Sequence, residues 1–527
     1  MLRYVVIVFW LFAGIFGRHP WKPDEAYTTG LVWSMAHSHD YVVPTLAGEP
    51  FMEKPPFYYM TAAWIAQLMP ALSFHESARL ASVLFNLITL LSVALSARRL
   101  FGGGGLNAAI LFAGSAGVLV NAHFLITDVG LLAGFALALL GGLFLKERPW
   151  LGGLLLGTGT GIGFLTKGLI APGVLGVVFA LLPLVSREGR TKAYFGGALV
   201  AVLSFLPWGL IWPYLLWKRD SGLFMEWFWV NNLGRYFGFS GGLGPRNEYL
   251  LYVKMLPWYA FPAILFAPLA LWRQKLDYGR RLLLLFFGVF LIVLSISHDG
   301  RQLYAMPIVL PCVILGAGID WSRWPRLNEV LRWLFFALFA FVGALIWAGY
   351  ILYLFQWPAT LANALNTLEP GFVPQLGWLL WPAIVMTAVW CFCKKRDAIF
   401  TWAAGITLVW TLVMTLWLPF IDYGKRYSDV FGELNAHMPL RDSPILSLRL
   451  GEPQRACLDY YHGIQTRRLE RFPRSAQQEM KNAPIGTILI AQRSLDGIPL
   501  DQWSLLWQGS RPGDVSTQEI FCLLQKK

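Results

Sequence analysis

Residues 21–59 read WKPDEAYTTGLVWSMAHSHDYVVPTLAGEPFMEKPPFYY, a polar interruption in an apolar chain. Asp24 and Glu25 stand side by side after Pro23, and Glu53 and Lys54 form an acid–base pair ahead of Pro55 and Pro56. Carboxylates so placed can take a proton from a nucleophile or orient it. Lys54, Lys167, Arg235, Arg246 and Arg301 come from separate parts of the chain. If the fold gathers these cations on one face they would neutralise an anion, and phosphate is the anion that lysine and arginine serve best. Charges next to lipid are costly unless they serve a purpose, which makes this stretch the centre of interest.

The elements that must position these residues are apolar. Of 527 residues, 56% are hydrophobic and only 14% charged, the composition of a membrane protein. The net charge of +13 does not indicate a nucleic-acid partner, because the basic residues are divided among short loops between apolar runs. That is the positive-inside distribution. Arg3 precedes an apolar run at 4–16 that no small-residue cleavage pattern follows, so a retained first helix is expected. Assigning the basic turns at Arg98, Lys146, Arg187, Arg280, Arg323 and Lys394 to the cytoplasm gives about thirteen spans. An odd count puts the C-terminus outside.

The expected fold is therefore an α-helical polytopic membrane protein over residues 1–420, followed by a small α/β extracytoplasmic domain at 421–527. Stretches 445–448 and 487–490 read as strands, and 428–437 and 456–462 as helices. Cys457 and Cys522 could pair in an oxidising compartment or stay separately buried. Gly157, Gly159 and Gly161 lie inside an apolar span with no strand before them, so they read as close helix packing and not as a nucleotide loop. Cys391 and Cys393 lack further ligands, and His37, His39 and Asp40 read as a solvated loop. No metal site is expected and no cofactor is named; a divalent cation is left open as a requirement.

The order of the motifs carries a resemblance. W-x-P-D-E-x-Y, D-Y-V-V-P and E-K-P-P-x-x-Y, all within 21–59, resemble the first extracytoplasmic loop of the bacterial aminoarabinose transferases. These belong with the protein O-mannosyltransferases to the GT-C type glycosyltransferases that use polyprenyl-phosphate sugars. Phe164-Leu165-Thr166-Lys167-Gly168 is similar to the family's F-L-T-K-G element, and Thr127-Asp128 to its acidic position at a helix end. Arg235-Tyr236-Phe237-Gly238 is similar to its R-F-x-G, and SISHDGRQLYAMP at 295–307 to its S…K/R…Y…P stretch. The resemblance runs from residue 21 to about 311.

What the resemblance implies is specific. The donor would be a polyprenyl-phosphate sugar, in a bacterium undecaprenyl phosphate in the inner membrane. The acceptor would be an extracytoplasmic lipid A-like glycolipid, or a protein or other glycan, and transfer would invert the anomeric centre. Asp24 and Glu25 would be the catalytic carboxylates, with Glu53, Lys54, Asp128, Lys167, Arg235, Arg246, His298, Arg301 and Tyr304 binding substrate. The chain departs from the family at Ala26, where P-D-E-T-R-Y is usual, and at Met52, where Y-F-E-K-P is usual. Arg246 or Asn247 stands where the family has a histidine, so the sugar is not fixed. The alternative is a lipid or sugar transporter, which would place ionisable groups near the bilayer midplane and show repeated halves. A sensor would leave the 21–59 stretch unexplained.

Overall fold

The computed structural model describes residues 1–239, 245–369, 377, 380–439, 444–469, 476–493, 495–514 and 519–527. Among the described residues six helices are long and apolar enough to cross a membrane. They are Phe74–Phe101, Thr127–Phe144, Lys192–Arg219, Tyr278–Ile296, Pro325–Leu354 and Ala398–Leu416. A seventh crossing is available if Leu251–Tyr259 and Ala263–Leu271, which meet at an 86° bend, act as one span. Shorter apolar helices at Leu2–Phe12, Ile170–Val185, Gln302–Gly316 and Trp381–Lys394 complete the apolar set. Helix length alone does not establish thirteen spans, because some apolar runs are broken. The run at 106–124 forms Gly105–Ala113 and the single turn Leu119–Ala122.

Two antiparallel helices matter most for the site. Thr127–Phe144 and Pro149–Lys167 pack so closely that their glycines face backbone. A Cβ on Gly134 would lie 2.7 Å from the Gly159 carbonyl oxygen, and one on Gly141 2.7 Å from that of Gly152. Small residues thus bring the helix axes together, as the glycine-rich sequence implied. Antiparallel packing sets the first turn of one helix, with Asp128, beside the last residue of the other, Lys167. At the opposite ends of these helices Arg99, Lys146, Glu147 and Asp277 line a small cleft.

The C-terminal region carries a five-stranded sheet in the order β4-β3-β5-β7-β6. Its strands are β3 (Ile445–Leu448), β4 (Arg467–Arg468), β5 (Ile488–Gln492), β6 (Trp503–Ser510) and β7 (Ile520–Lys526). β3 runs parallel to β4 and β5, whereas β7 pairs antiparallel with β5 and β6. Alternation along β7 sends Phe521 and Leu523 into one core and Cys522 and Leu524 into another. Cys457 belongs to the first core and Cys522 to the second, and both are free thiols. The strand period thus puts the two thiols in different cores.

The 21–59 stretch is clasped between the apolar helices and this sheet. It forms the helix Asp24–Ser38 and a small hairpin, β1 (Thr45–Leu46) with β2 (Glu49–Pro50). Gly30 lies against the helix Glu452–His462, where a Cβ would come within 2.7 Å of the Ala456 Cβ. Glu49 pairs with Arg455 at 3.0 Å and Arg468 at 3.3 Å, fastening the hairpin to the C-terminal region. Lys22 adds a contact to Glu519 at 2.9 Å.

Candidate active site

Adjacent helix residues point about 100° apart, so Asp24 and Glu25 cannot serve one site together. Glu25 turns inward and is 1% exposed. Its carboxylate accepts hydrogen bonds from Arg79 Nε at 2.7 Å, Arg18 Nη2 at 3.1 Å, and the backbone N–H of Trp21 and Leu125, each at 3.1 Å. The expected catalytic role for Glu25 therefore gives way to an anchoring one, for a reason of helix phase. Burial would raise the Glu25 carboxyl, but Arg18 and Arg79 override it and hold it down at about 2.

Glu25→Gln leaves two buried guanidinium groups without their counter-charge and should destabilise the protein by roughly 3–5 kcal/mol. Thermal unfolding in detergent at pH 7 checks this; a melting temperature equal to wild type would remove the anchor. Because the folded carboxyl titrates below its ordinary value of 4.5, its contribution is full above that pH. The wild-type advantage over Glu25→Gln should then shrink as pH falls from 4.5 towards 2.

Asp24 faces a cavity. Its Oδ1 accepts from Arg301 Nη1 at 3.2 Å, and both residues line a polar space of about 340 Å³. Tyr27, Glu53 and Arg235 share that wall, along with Glu452 and Arg468 from the C-terminal region. A second cavity of about 430 Å³ adjoins it, the two having Glu53, Asn231 and Arg235 in common. Its depth is apolar, with Leu131, Ile170, Val174, Phe290, Val293 and Leu294 in its wall. Lys54, Lys167, Arg235 and Tyr304 form its polar end.

Each cation at that end is held by a carboxylate or a ring. Arg235 bridges Glu53 and Asp299, the latter at 2.8 Å. Lys54 Nζ donates to the Tyr27 hydroxyl at 2.6 Å. Lys167 pairs with Asp128 and lies 4.1 Å from the centroid of the Tyr304 ring. Burial would raise the Glu53 carboxyl, but Lys54 and Arg235 hold it at about 2. Burial acts to lower Lys54, yet Glu53 together with Tyr59, Asp128 and Asp24 outweighs it and keeps the ammonium above its ordinary value. The end of the apolar cavity therefore stays charged at neutral pH.

Of the residues singled out from the sequence, Asp24, Glu53, Lys54, Lys167, Arg235, Arg301 and Tyr304 line these two cavities. Asp128 stands behind Lys167. His298 lines neither; its Nδ1 meets Asp299 Oδ1 at 3.0 Å, bracing the carboxylate that holds Arg235. Arg246 is exposed and also lines neither, its backbone bridging Asp299. Sequence reasoning passed over Tyr27 and Asp299, although both lie inside the stretches it singled out. It had no signal for Glu452 or Arg468, which reach the site only through the docking of the C-terminal region. Among the described residues no three His, Cys, Asp or Glu side chains form a metal-binding group.

Comparison with known proteins agrees with the resemblance read from the motifs. Residues 53–212 match the family described as dolichyl-phosphate-mannose-protein mannosyltransferase, a span that contains Glu53, Lys54, Asp128 and Lys167. The undecaprenyl phosphate-alpha-4-amino-4-deoxy-L-arabinose arabinosyl transferase of Edwardsiella ictaluri is 28% identical over 60% of this chain. The chain spans 58% of that relative's length. The transferase of the same description from Serratia proteamaculans is 26% identical over 76% of this chain and 73% of its own. The crystal structure of ArnT from Cupriavidus metallidurans bound to undecaprenyl phosphate has a TM-score of 0.69 at 17% identity. That likeness covers 99% of this chain and 97% of the other, so the two share a fold. The chain resembles the GT-C glycosyltransferases that use polyprenyl-phosphate sugars, the aminoarabinose transferases among them.

Proposed function

We propose, taking that likeness as the premise, that this chain is an integral-membrane glycosyltransferase that moves a sugar from a polyprenyl-phosphate donor to an acceptor outside the cytoplasm. One observation carries the reading. An apolar cavity ends in Lys54, Lys167 and Arg235, and at Glu53 and Arg235 it adjoins a carboxylate-lined cavity that holds Asp24. An isoprenoid chain suits the apolar depth, its phosphate suits the cations, and the sugar then extends into the polar space. A transporter would string its ionisable groups along a path near the midplane. Here they gather where the 21–59 stretch meets the helix ends.

The chemistry follows from the placement. An acceptor oxygen attacks the anomeric carbon and forms the new C–O bond, while the bond from that carbon to the phosphate oxygen breaks and its electron pair leaves with polyprenyl phosphate. Attack opposite the leaving group inverts the centre. Lys54, Lys167 and Arg235 stabilise the charge that develops on the phosphate, which is where fixed cations in a water-poor site do most. Asp24 takes the proton of a hydroxyl acceptor, held in place by Arg301. The proton moves late, once the anomeric carbon is already drawing on the acceptor oxygen.

The likeness supports undecaprenyl phosphate as the lipid. The motif resemblance argues for a lipid A-like glycolipid as the acceptor, and the distribution of basic turns for a bacterial inner membrane with the site and the C-terminus extracytoplasmic. The test is transfer by purified, detergent-solubilised protein from undecaprenyl-phosphate sugars, read by mass spectrometry as free undecaprenyl phosphate and glycosylated acceptor. Release that depends on the acceptor is the expected result. Donors left intact with glycolipid and protein acceptors alike would end the transferase reading.

A further inference from the structure

The polar cavity has carboxylates to spare. Among its described lining residues, Asp24 is paired with Arg301, Glu53 with Arg235, and Glu49 with Arg455 and Arg468. Glu226 and Glu452 line the same cavity, and neither side chain makes an ion pair or hydrogen bond with any described residue; of the two, the one carried by the C-terminal region is Glu452. It is partly buried and lies in the first turn of the helix Glu452–His462, against which the Asp24–Ser38 helix packs through Gly30. A carboxylate held by a rigid helix in a polar cavity, with no protein partner, is placed to meet a ligand.

We propose that Glu452 is a specificity-determining residue: its carboxylate accepts a hydrogen bond from the sugar being transferred, so the C-terminal region helps choose that sugar. The inference rests on the transferase reading above and deepens it. The donor's phosphate is assigned to Lys54, Lys167 and Arg235, and its sugar passes the Glu53–Arg235 pair into the cavity walled by Asp24 and Glu452. Glu452 touches neither the phosphate end nor the apolar depth, because it lines only the polar cavity. Burial and the neighbouring Glu53 push its carboxyl up against the pull of Arg468, Lys54 and Arg235, so a donor from a ligand would be gained. A hydroxyl or an amino group of the sugar supplies such a donor; which of the two is preferred is read from the experiment.

The test uses the full-length protein with undecaprenyl phosphate carrying a neutral hexose, a neutral pentose or an amino-pentose. Glu452→Gln is expected to raise KM for the preferred donor about 10-fold or more, the usual worth of a hydrogen bond to a charged group, with kcat within about threefold. It should also change the ranking or the spread of kcat/KM among the three donors. Binding of undecaprenyl phosphate without sugar should be unchanged. The melting temperature should change little, because Glu452 makes no ion pair and its repulsion from Glu53 opposes its attraction to Arg468, Lys54 and Arg235. Unchanged KM values and an unchanged donor ranking in Glu452→Gln would overturn the inference while leaving the transferase reading intact. So would a lowered melting temperature that accounts for the lost turnover, since that marks a structural role. A wild-type protein that releases undecaprenyl phosphate from none of the donors would overturn the transferase reading and this inference together.

Discussion

Asp24→Asn should lower transfer on the order of 100-fold or more, the usual worth of general acid–base help, while the protein folds and melts like wild type. The rival role for Asp24 is helix capping, common for aspartate at such a place. The structure does not use it so. The N-cap of the Asp24–Ser38 helix is Pro23, with no side-chain cap hydrogen bond, and the Asp24 carboxylate turns to Arg301 in the polar cavity. What Asn forfeits structurally is a first-turn charge on the helix dipole, worth roughly 0.3–1 kcal/mol, and a partly exposed ion pair. What it forfeits chemically is the whole ability to take a proton. Asn keeps the size of the side chain, so an emptied cavity cannot explain a loss. Turnover from an undecaprenyl-phosphate sugar, compared at matched melting temperature, decides the matter. Wild-type turnover in Asp24→Asn would leave the mechanism without its base.

The second large effect is expected at Lys54. Removing one fixed donor from a site that stabilises developing negative charge costs about 100- to 1000-fold in kcat. Lys54→Gln should fall in that range and should also weaken binding of undecaprenyl phosphate alone, measured by titration calorimetry in detergent. Lys54 is the better probe than Lys167, whose loss would leave buried Asp128 without its partner and so endanger folding. Glu53, by contrast, keeps Arg235 when Lys54 is removed. Because a charge lost from the phosphate subsite matters more than one hydrogen bond, Lys54→Arg should recover part of the activity. If Lys54→Gln bound the lipid phosphate as wild type does and turned over normally, the phosphate would have to be placed elsewhere.

Much of this site was legible in the sequence because its residues sit in short motifs with unusual chemistry for an apolar chain. Lys54 and Glu53 sit between proline and an acidic loop, and Lys167 ends a glycine-rich span whose packing partner also carries Asp128. The division of labour between Asp24 and Glu25 was not legible. Adjacent carboxylates look equivalent in sequence, and only the phase of the helix sends one to the cavity and the other to Arg18 and Arg79. Arg246 is a related case: its charge is plain in the sequence, but not that its backbone bridges Asp299 and that it is exposed outside the two cavities. In the C-terminal region the strands expected at 445–448 and 487–490 are β3 and β5. The cavity-facing side of that region was invisible, since Glu452 and Arg468 come to line the cavity only by docking on the hairpin.

That docking has a consequence for the making of the protein. Glu49 of the hairpin and its partner Arg455 are separated by 406 residues. A ribosome adding about 5–20 residues per second takes roughly 20–80 s to cover that distance. During this interval the nascent chain already carries Asp24, Glu53 and Lys54, while the wall that will hold Glu452 and Arg468 has yet to be synthesised. The newborn membrane portion therefore presents a half-built polar cavity, with Gly30 lacking the helix that covers it. The polar cavity would gain its full wall only once residues 452–468 have been made and docked on the hairpin.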